Sequence, residues 1–139
     1  MQITIETLVN ASLDKVWTAW ITPDDINQWN TALETWHTLN SRNDLRVGGT
    51  FSFRMEAKDG SMGFDFGGTY TEVIPQQRIE YVLGDNRGVS VTFEAVEEGI
   101  RVVERFETED VNAAEMQRQG WQAILTNFAR YVEAKGTSA

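Results

Sequence analysis

The stretch GGTFSFRMEAKDGSMGFDFGGTY, residues 48–70, decides the fold. Its first half alternates apolar with polar residues from Phe51 to Lys58, the period of a strand with one buried face. After the turn signal Asp59-Gly60, a second run places the rings of Phe64 and Tyr70 on one parity. The two runs predict a hairpin with a broad aromatic face, which another element must cover.

Period-two patterns continue on both sides of this hairpin, separated by turn signals such as Arg42-Asn43-Asp44 and the bulge or bend expected at Gly48-Gly49. Together with the hairpin and the first strand of the chain, these patterns predict an antiparallel meander of about seven strands. The predicted strands are Ile3 to Val9, Trp36 to Ser41, Phe51 to Lys58, Gly63 to Ile74, Arg78 to Leu83, Val89 to Val96 and Ile100 to Glu107.

Two short helices are predicted between the first and second strands. Ser12 is a favourable N-cap for the first helix. The second helix runs to about Trp29, with Thr22 as its cap, Pro23 at its first position and Asp25 as a capping-box acid. Both helices are too short to cover the sheet.

A long helix is predicted at the C-terminus, capped by Asp110 or Asn112 and running to about Ala134, before Gly136. At about 23 residues it would be roughly 35 Å long, enough to cross the whole sheet. Gly120 inside it lowers helix propensity and suggests a close approach to another element. The apolar stripe contains Met116, Trp121, Ile124, Leu125, Phe128, Tyr131 and Val132.

Length and composition predict one globular domain spanning residues 1–139. The net charge of −9 and the lack of a basic cluster argue against nucleic acid and anionic membranes as partners. There is no cysteine and one histidine, so neither a metal site nor a cofactor is expected. The N-terminus does not resemble a signal peptide, and no run is long enough to span a bilayer. An acidic cytoplasmic protein fits these features.

The order of elements resembles the START-like (SRPBCC, helix-grip, pollen-allergen-like) superfamily, an α+β fold in which a curved antiparallel sheet wraps a long C-terminal helix. Within it, the sequence is similar to homologues of the C-terminal domain of the activator of heat-shock-protein-90 ATPase. The stretches that carry the resemblance are Val16 to Trp20, Thr22 to Asp24, Asp44 to Phe51, Asp59-Gly60, Gly68 to Pro75 and Gly120-Trp121.

The resemblance implies a cavity between sheet and helix that suits a small hydrophobic molecule, a lipid included. From curvature alone we expect about 300–1,000 Å³. The alternative is that the aromatic face simply packs as core. The candidate ligand-binding residues are Trp36, Phe53, Met55, Phe64, Phe66, Tyr70, Tyr81, Phe93, Trp121, Ile124, Leu125 and Phe128.

Three residues are candidates for catalysis. Strict alternation puts Glu72 and Glu104 on the apolar parity of their strands, where a carboxylate needs a partner or has a raised pKa. The alternative for Glu72 is a bulge at Gly67-Gly68 that turns it outward, or an ion pair with Arg54 or Arg105. The third candidate is His37.

Three functions are compatible with these features. The first is a non-enzymatic module that binds a small hydrophobic or aromatic molecule in the cavity. The second is an enzyme of the polyketide cyclase, dehydratase or hydrolase kind that uses the cavity carboxylates. The third, implied by the family resemblance, is a cochaperone-like, stress-response protein that contacts a chaperone ATPase.

Overall fold

The structure is a computed structural model that describes residues 1–137. A seven-stranded antiparallel sheet forms its main layer, with the strand order β1-β7-β6-β5-β4-β3-β2. The strands are β1 Gln2–Val9, β2 Trp36–Asn43, β3 Thr50–Ala57, β4 Gly63–Ile74, β5 Arg78–Leu83, β6 Gly88–Val96 and β7 Gly99–Glu107. The helices are α1 Leu13–Ile21, α2 Pro23–Trp29 and α3 Ala114–Thr137.

This architecture confirms the predicted α+β helix-grip fold. The sheet is curled into a half-barrel, α3 packs against it, and α1 and α2 lie between β1 and β2 in the chain. From β2 to β7 each strand pairs with its neighbour in sequence, so local hairpins build most of the sheet. β1 then pairs along its whole length with β7.

A β-bulge in β4 decides which side chains face the interior. The register shifts between Tyr70 and Glu72, so Tyr70 stays buried while Glu72 pairs with Arg78 at 3.4 Å outside. Val73 instead packs against the core. The outward alternative for Glu72 is therefore the correct one, although the bulge lies after Gly67-Gly68 and the partner was not one of the two expected.

The helix caps agree only in part with the prediction. Ser12 caps α1, since its hydroxyl accepts the N–H of Lys15 at 3.3 Å. Thr22 occupies the N-cap position of α2, but its side chain makes no capping bond. Asp25 is not a capping-box acid, because its buried carboxylate accepts hydrogen bonds from Tyr131 and Lys135 of α3.

The predicted ends of the C-terminal helix were also displaced. α3 begins at Ala114, after a loop in which the Glu109 carboxylate accepts the N–H of Asn112 at 2.7 Å. Neither Asp110 nor Asn112 is therefore next to the first helical residue. The helix ends at Thr137 rather than before Gly136, because one helical glycine costs only about 1 kcal/mol.

The interior is tightly packed in the half of the sheet that β5, β6 and β7 form. The inward residues of β5, of β6 as far as Phe93, and of β7 are buried in alternation. They meet Leu125, Phe128 and Val132 of α3 and Val16 of α1 in one apolar cluster. The inward side chains of β3 and β4, such as Phe53 and Phe66, are only partly buried. The interior is therefore less completely filled next to β3 and β4 than next to β5, β6 and β7.

Gly120 does not lie close to another element, so that prediction was wrong: a Cβ placed there would meet nothing within 4 Å. We expect Gly120→Ala to raise the free energy of unfolding by about 0.5–1 kcal/mol, because alanine loses less backbone entropy in a helix. Urea denaturation measures the change.

Gly68→Ala provides the matched control, because a Cβ there would lie 2.5 Å from the backbone oxygen of Val82 and 3.1 Å from the ring of Phe51. This variant should be destabilised. A loss of stability in Gly120→Ala as well would contradict the open surroundings of that glycine.

Candidate functional site

An apolar cavity of about 180 Å³ lies between the β3–β4 half of the sheet and α3. It is smaller than the 300–1,000 Å³ expected from the curvature. An engineered cavity of about 150 Å³ holds benzene, so this one accommodates one substituted ring. Its lining residues are Trp20, Trp29, Asn30, Phe51, Phe53, Met55, Phe64, Phe66, Tyr70, Tyr81, Glu104, Trp121, Ile124 and Leu125.

Aromatic rings from neighbouring strands form one wall. Phe53 and Phe66 are directly opposite each other across β3 and β4, and their ring centroids are 6.3 Å apart. Phe51 continues the wall toward Tyr81, at 4.8 Å in an edge-to-face arrangement. Since adjacent strands place these rings, the wall follows directly from the hairpin pattern.

Trp121 of α3 covers the opposite side. It stacks on Phe106 of β7 with centroids 4.1 Å apart, and its ring meets Phe66 edge-on at 6.1 Å. Toward the β3–β4 turn the cover ends, since Phe64 lines the cavity while 48% exposed. The cavity therefore reaches the surface beside Phe64.

Glu104 is the one acidic group among the lining residues and is only 6% exposed. Its neighbours across the ladder are Ile5 of β1 and Val91 of β6, both buried. No hydrogen bond reaches its carboxylate from any described residue. Loss of hydration raises the pKa of Glu104 to about 8, so at pH 7 the group is mainly protonated and can donate a hydrogen bond.

Two neighbouring tyrosines, Tyr70 and Tyr81, line the cavity with their ring centroids 6.1 Å apart. Burial raises the pKa of Tyr81 well above its ordinary value, and the nearby charge of Glu104 raises it further. The hydroxyl of Tyr70 donates to Oδ1 of Asn43. Tyr81, in contrast, has no hydrogen-bond partner within residues 1–137.

Asn30 adds a further polar group from the loop after α2. Its backbone is held, because its N–H donates to Ile26 at 3.0 Å and its carbonyl accepts from the hydroxyl of Thr38. Its side-chain Nδ2 is closed to bulk solvent and has no partner in the described part of the chain. A buried donor without an acceptor is uncommon and costs about 1–3 kcal/mol.

The structure separates the candidate ligand-binding residues into two groups. Trp36, Phe93 and Phe128 do not line the cavity. Phe93 packs edge-on against Trp17 at 5.3 Å and belongs to the core, as does Phe128. Trp36 lies beside the mouth, 6.1 Å from Phe64. The candidates that do line it are Phe53, Met55, Phe64, Phe66, Tyr70, Tyr81, Trp121, Ile124 and Leu125.

Four lining residues were absent from the predicted site. Phe51 shares the parity of Phe53, so the alternation that identified the wall already contained it. Trp20 and Trp29 come from the apolar faces of α1 and α2. Asn30 follows α2 immediately, and no periodicity marks a loop residue as inward-facing. Only the docking of α2 beneath α3 places it there.

Two of the three catalytic candidates do not reach the cavity. Glu72 is on the outer surface with Arg78. His37 of β2 contacts Glu56 of β3 at 3.2 Å, also on the outer face. Hydrogen bonds from His37 and Arg54 lower the pKa of Glu56. Glu104 alone of the three lines the cavity, so these residues do not form one catalytic group.

Within residues 1–137, no cluster of three or more His, Cys, Asp or Glu side chains could hold a metal ion. The same part of the chain contains no helix that combines the length and apolarity needed to cross a bilayer.

The curled sheet, the long helix held in it and the apolar cavity between them define a START-like helix-grip protein. The model of one family, described as activator of Hsp90 ATPase homolog 1-like protein (AHSA1), matches residues 10–133. The chain belongs to this family. No curated protein sequence matches it.

Solved structures from three bacteria are similar over nearly the whole chain. An AHSA1-like protein from Aeromonas hydrophila is 48% identical, with a TM-score of 0.92 over 98% of this chain and 94% of its own. A protein from Cytophaga hutchinsonii is 45% identical, with a TM-score of 0.83 over 96% and 93%. Protein CV1439 from Chromobacterium violaceum is 25% identical, with a TM-score of 0.85 over 96% and 98%.

Proposed function

We propose that the protein is a binding module for a small, uncharged aromatic molecule held between α3 and the β3–β4 hairpin. The observation that carries this proposal is the cavity of about 180 Å³, walled by aromatic side chains and open beside Phe64. Its described lining contains no lysine, arginine or histidine to neutralise a ligand anion. Small-molecule sites share this combination of an apolar lining and a few polar groups.

The site does not favour the other two hypotheses. An enzyme that uses several cavity carboxylates would need more than Glu104, since Glu72 and His37 lie on the outer face. The cochaperone hypothesis rests on the family description, which refers to an activator of a chaperone ATPase, and not on the cavity. Binding of a small molecule therefore explains the cavity without requiring catalytic groups or a partner protein.

Ethylbenzene, one ring with a short side chain, matches the size of the cavity. For a ligand of eight heavy atoms we expect a Kd of about 0.1–1 mM. The indole N–H signals of a ¹⁵N-labelled sample report on its position. Signals of Trp20, Trp29 and Trp121, which line the cavity, should shift on titration, whereas that of Trp17 in the core should not.

A pair of tryptophan variants provides the control for this titration. Ile124→Trp fills the cavity and should abolish binding, while Gln119→Trp adds the same side chain on the exposed face of α3 and should leave it intact. Dispersed amide spectra establish that both variants are folded. An absence of indole shifts in the wild type up to several millimolar ligand would reject the proposed function.

A further inference from the structure

The polar groups of the cavity form a donor set, defined here as Nδ2 of Asn30, the carboxyl of Glu104 and the hydroxyl of Tyr81. All three residues line the cavity, and each is less than a tenth exposed. None of the three groups has a hydrogen-bond partner within residues 1–137. Nδ2 of Asn30 is closed to solvent, and an unpartnered donor of this kind is unusual, more so beside two further unpartnered groups of the same lining.

At neutral pH every member of the set can donate. The Asn30 amide nitrogen is always a donor, and Tyr81 keeps its proton because burial raises its pKa. Glu104 keeps its proton through most of the neutral range for the same reason. Besides Glu104, the only titratable side chains in the described lining are Tyr70 and Tyr81. The residues of β1 and β6 that flank Glu104 on the sheet, Ile5 and Val91, are apolar.

The charges of the lining residues restrict the net charge of the ligand. An anion would find donors but no cationic side chain in the described lining, and moving it from water into this space costs several kcal/mol. A cation would face the aromatic rings and could pair with Glu104 once that group ionised, but it would leave the Asn30 donor without an acceptor. An uncharged ligand with a strong acceptor meets neither cost, and one carbonyl oxygen can accept hydrogen bonds from two of these donors.

Resting on the proposed function, we infer that the cavity selects an uncharged aromatic ligand bearing a carbonyl oxygen, which accepts hydrogen bonds from the donor set. The ring occupies the space between Phe53, Phe66 and Trp121, and the carbonyl points toward Asn30 and Glu104. The carbonyl thereby supplies the acceptor that the protein does not provide.

Four probes of nearly equal size test this inference: acetophenone, ethylbenzene, 1-phenylethylammonium and benzoate. At pH 6.5 acetophenone should bind about tenfold more tightly than ethylbenzene, the effect of satisfying one buried donor. The two ions should bind more weakly than acetophenone. At pH 9.5, where Glu104 is ionised, the advantage of acetophenone over ethylbenzene should shrink.

Two variants link the preference to the donor set. Asn30→Leu should remove most of the tenfold preference while ethylbenzene still binds. Glu104→Gln keeps an N–H donor at every pH, so its preference for acetophenone should persist at pH 9.5. Glu6→Gln, at an exposed position of β1, is the control and should behave as the wild type does.

Three other results would each contradict the inference, and each has a different consequence for the proposed function. Equal binding of acetophenone and ethylbenzene, unaffected by Asn30→Leu, would leave the proposed function standing and reject the carbonyl. Tightest binding of 1-phenylethylammonium would indicate a cation paired with Glu104. If ethylbenzene and the other three probes all fail to bind, the proposed function fails together with the inference.

Discussion

Between pH 5 and pH 9 the wild-type protein is expected to lose about 3–5 kcal/mol of unfolding free energy through Glu104 alone. Burial raises the pKa of this carboxyl from 4.5 to about 8, so in that window the native state holds a proton that the unfolded state has released. Stability therefore falls as pH rises, by about 1.4 kcal/mol per pH unit, until Glu104 ionises in the native state as well. Below about pH 4.5 the contribution vanishes, because both states are protonated.

Glu104→Gln removes this titration while keeping the shape of the side chain. Its free energy of unfolding should match that of the wild type within about 1 kcal/mol at pH 5 and exceed it by several kcal/mol at pH 9. Urea denaturation at half-unit pH steps gives both curves. Glu6→Gln, at an exposed position of β1, should run parallel to the wild type. Parallel curves for Glu104→Gln and the wild type would show that Glu104 is ionised and hydrated at neutral pH.

The second large effect is expected at Phe128, where Phe128→Ala should cost about 3–5 kcal/mol of stability. The side chain is 0% exposed and touches the rings of Trp20 and Trp29 with centroids 5.0 and 4.8 Å away. Removing it leaves a cavity that three packed helices cannot close. For a domain of this size that is a large share of the total stability.

Phe66→Ala is the matched comparison, since it deletes the same ring from a cavity wall that is already open on one side. Its cost should be about 1–2 kcal/mol, because less contact is lost and little new cavity surface is created. Chemical denaturation of both variants at pH 6 makes the comparison. Equal costs would mean that the β3–β4 side is as tightly packed as the β6–β7 side.

Much of this fold could be read from local patterns. The hairpin around Asp59-Gly60 and the alternation in β5, β6 and β7 repeat every two residues, and each repeat is an independent indication of one buried face. The C-terminal helix was recognisable from its apolar stripe. Its ends were not, because caps depend on one or two side chains that found other partners, as Asp25 did with Tyr131.

The site was less predictable, and Phe53 and Phe128 show why. Both are aromatic and both lie on inward-facing stripes, yet one lines a cavity and the other is sealed in the core. The difference lies in how far α3 stands from each half of the sheet. Hydrophobic period carries no information on that distance.

By itself, the sequence determined the order of the elements, the face that each one buries and the family to which the chain belongs. The tertiary structure alone decided that a bulge after Tyr70 turns Glu72 outward, that Glu104 stays inside, and that Nδ2 of Asn30 is left without a partner. The reason is that periodicity is set by neighbours along the chain. Whether rings from distant elements meet or leave a space depends on how those elements pack across the interior.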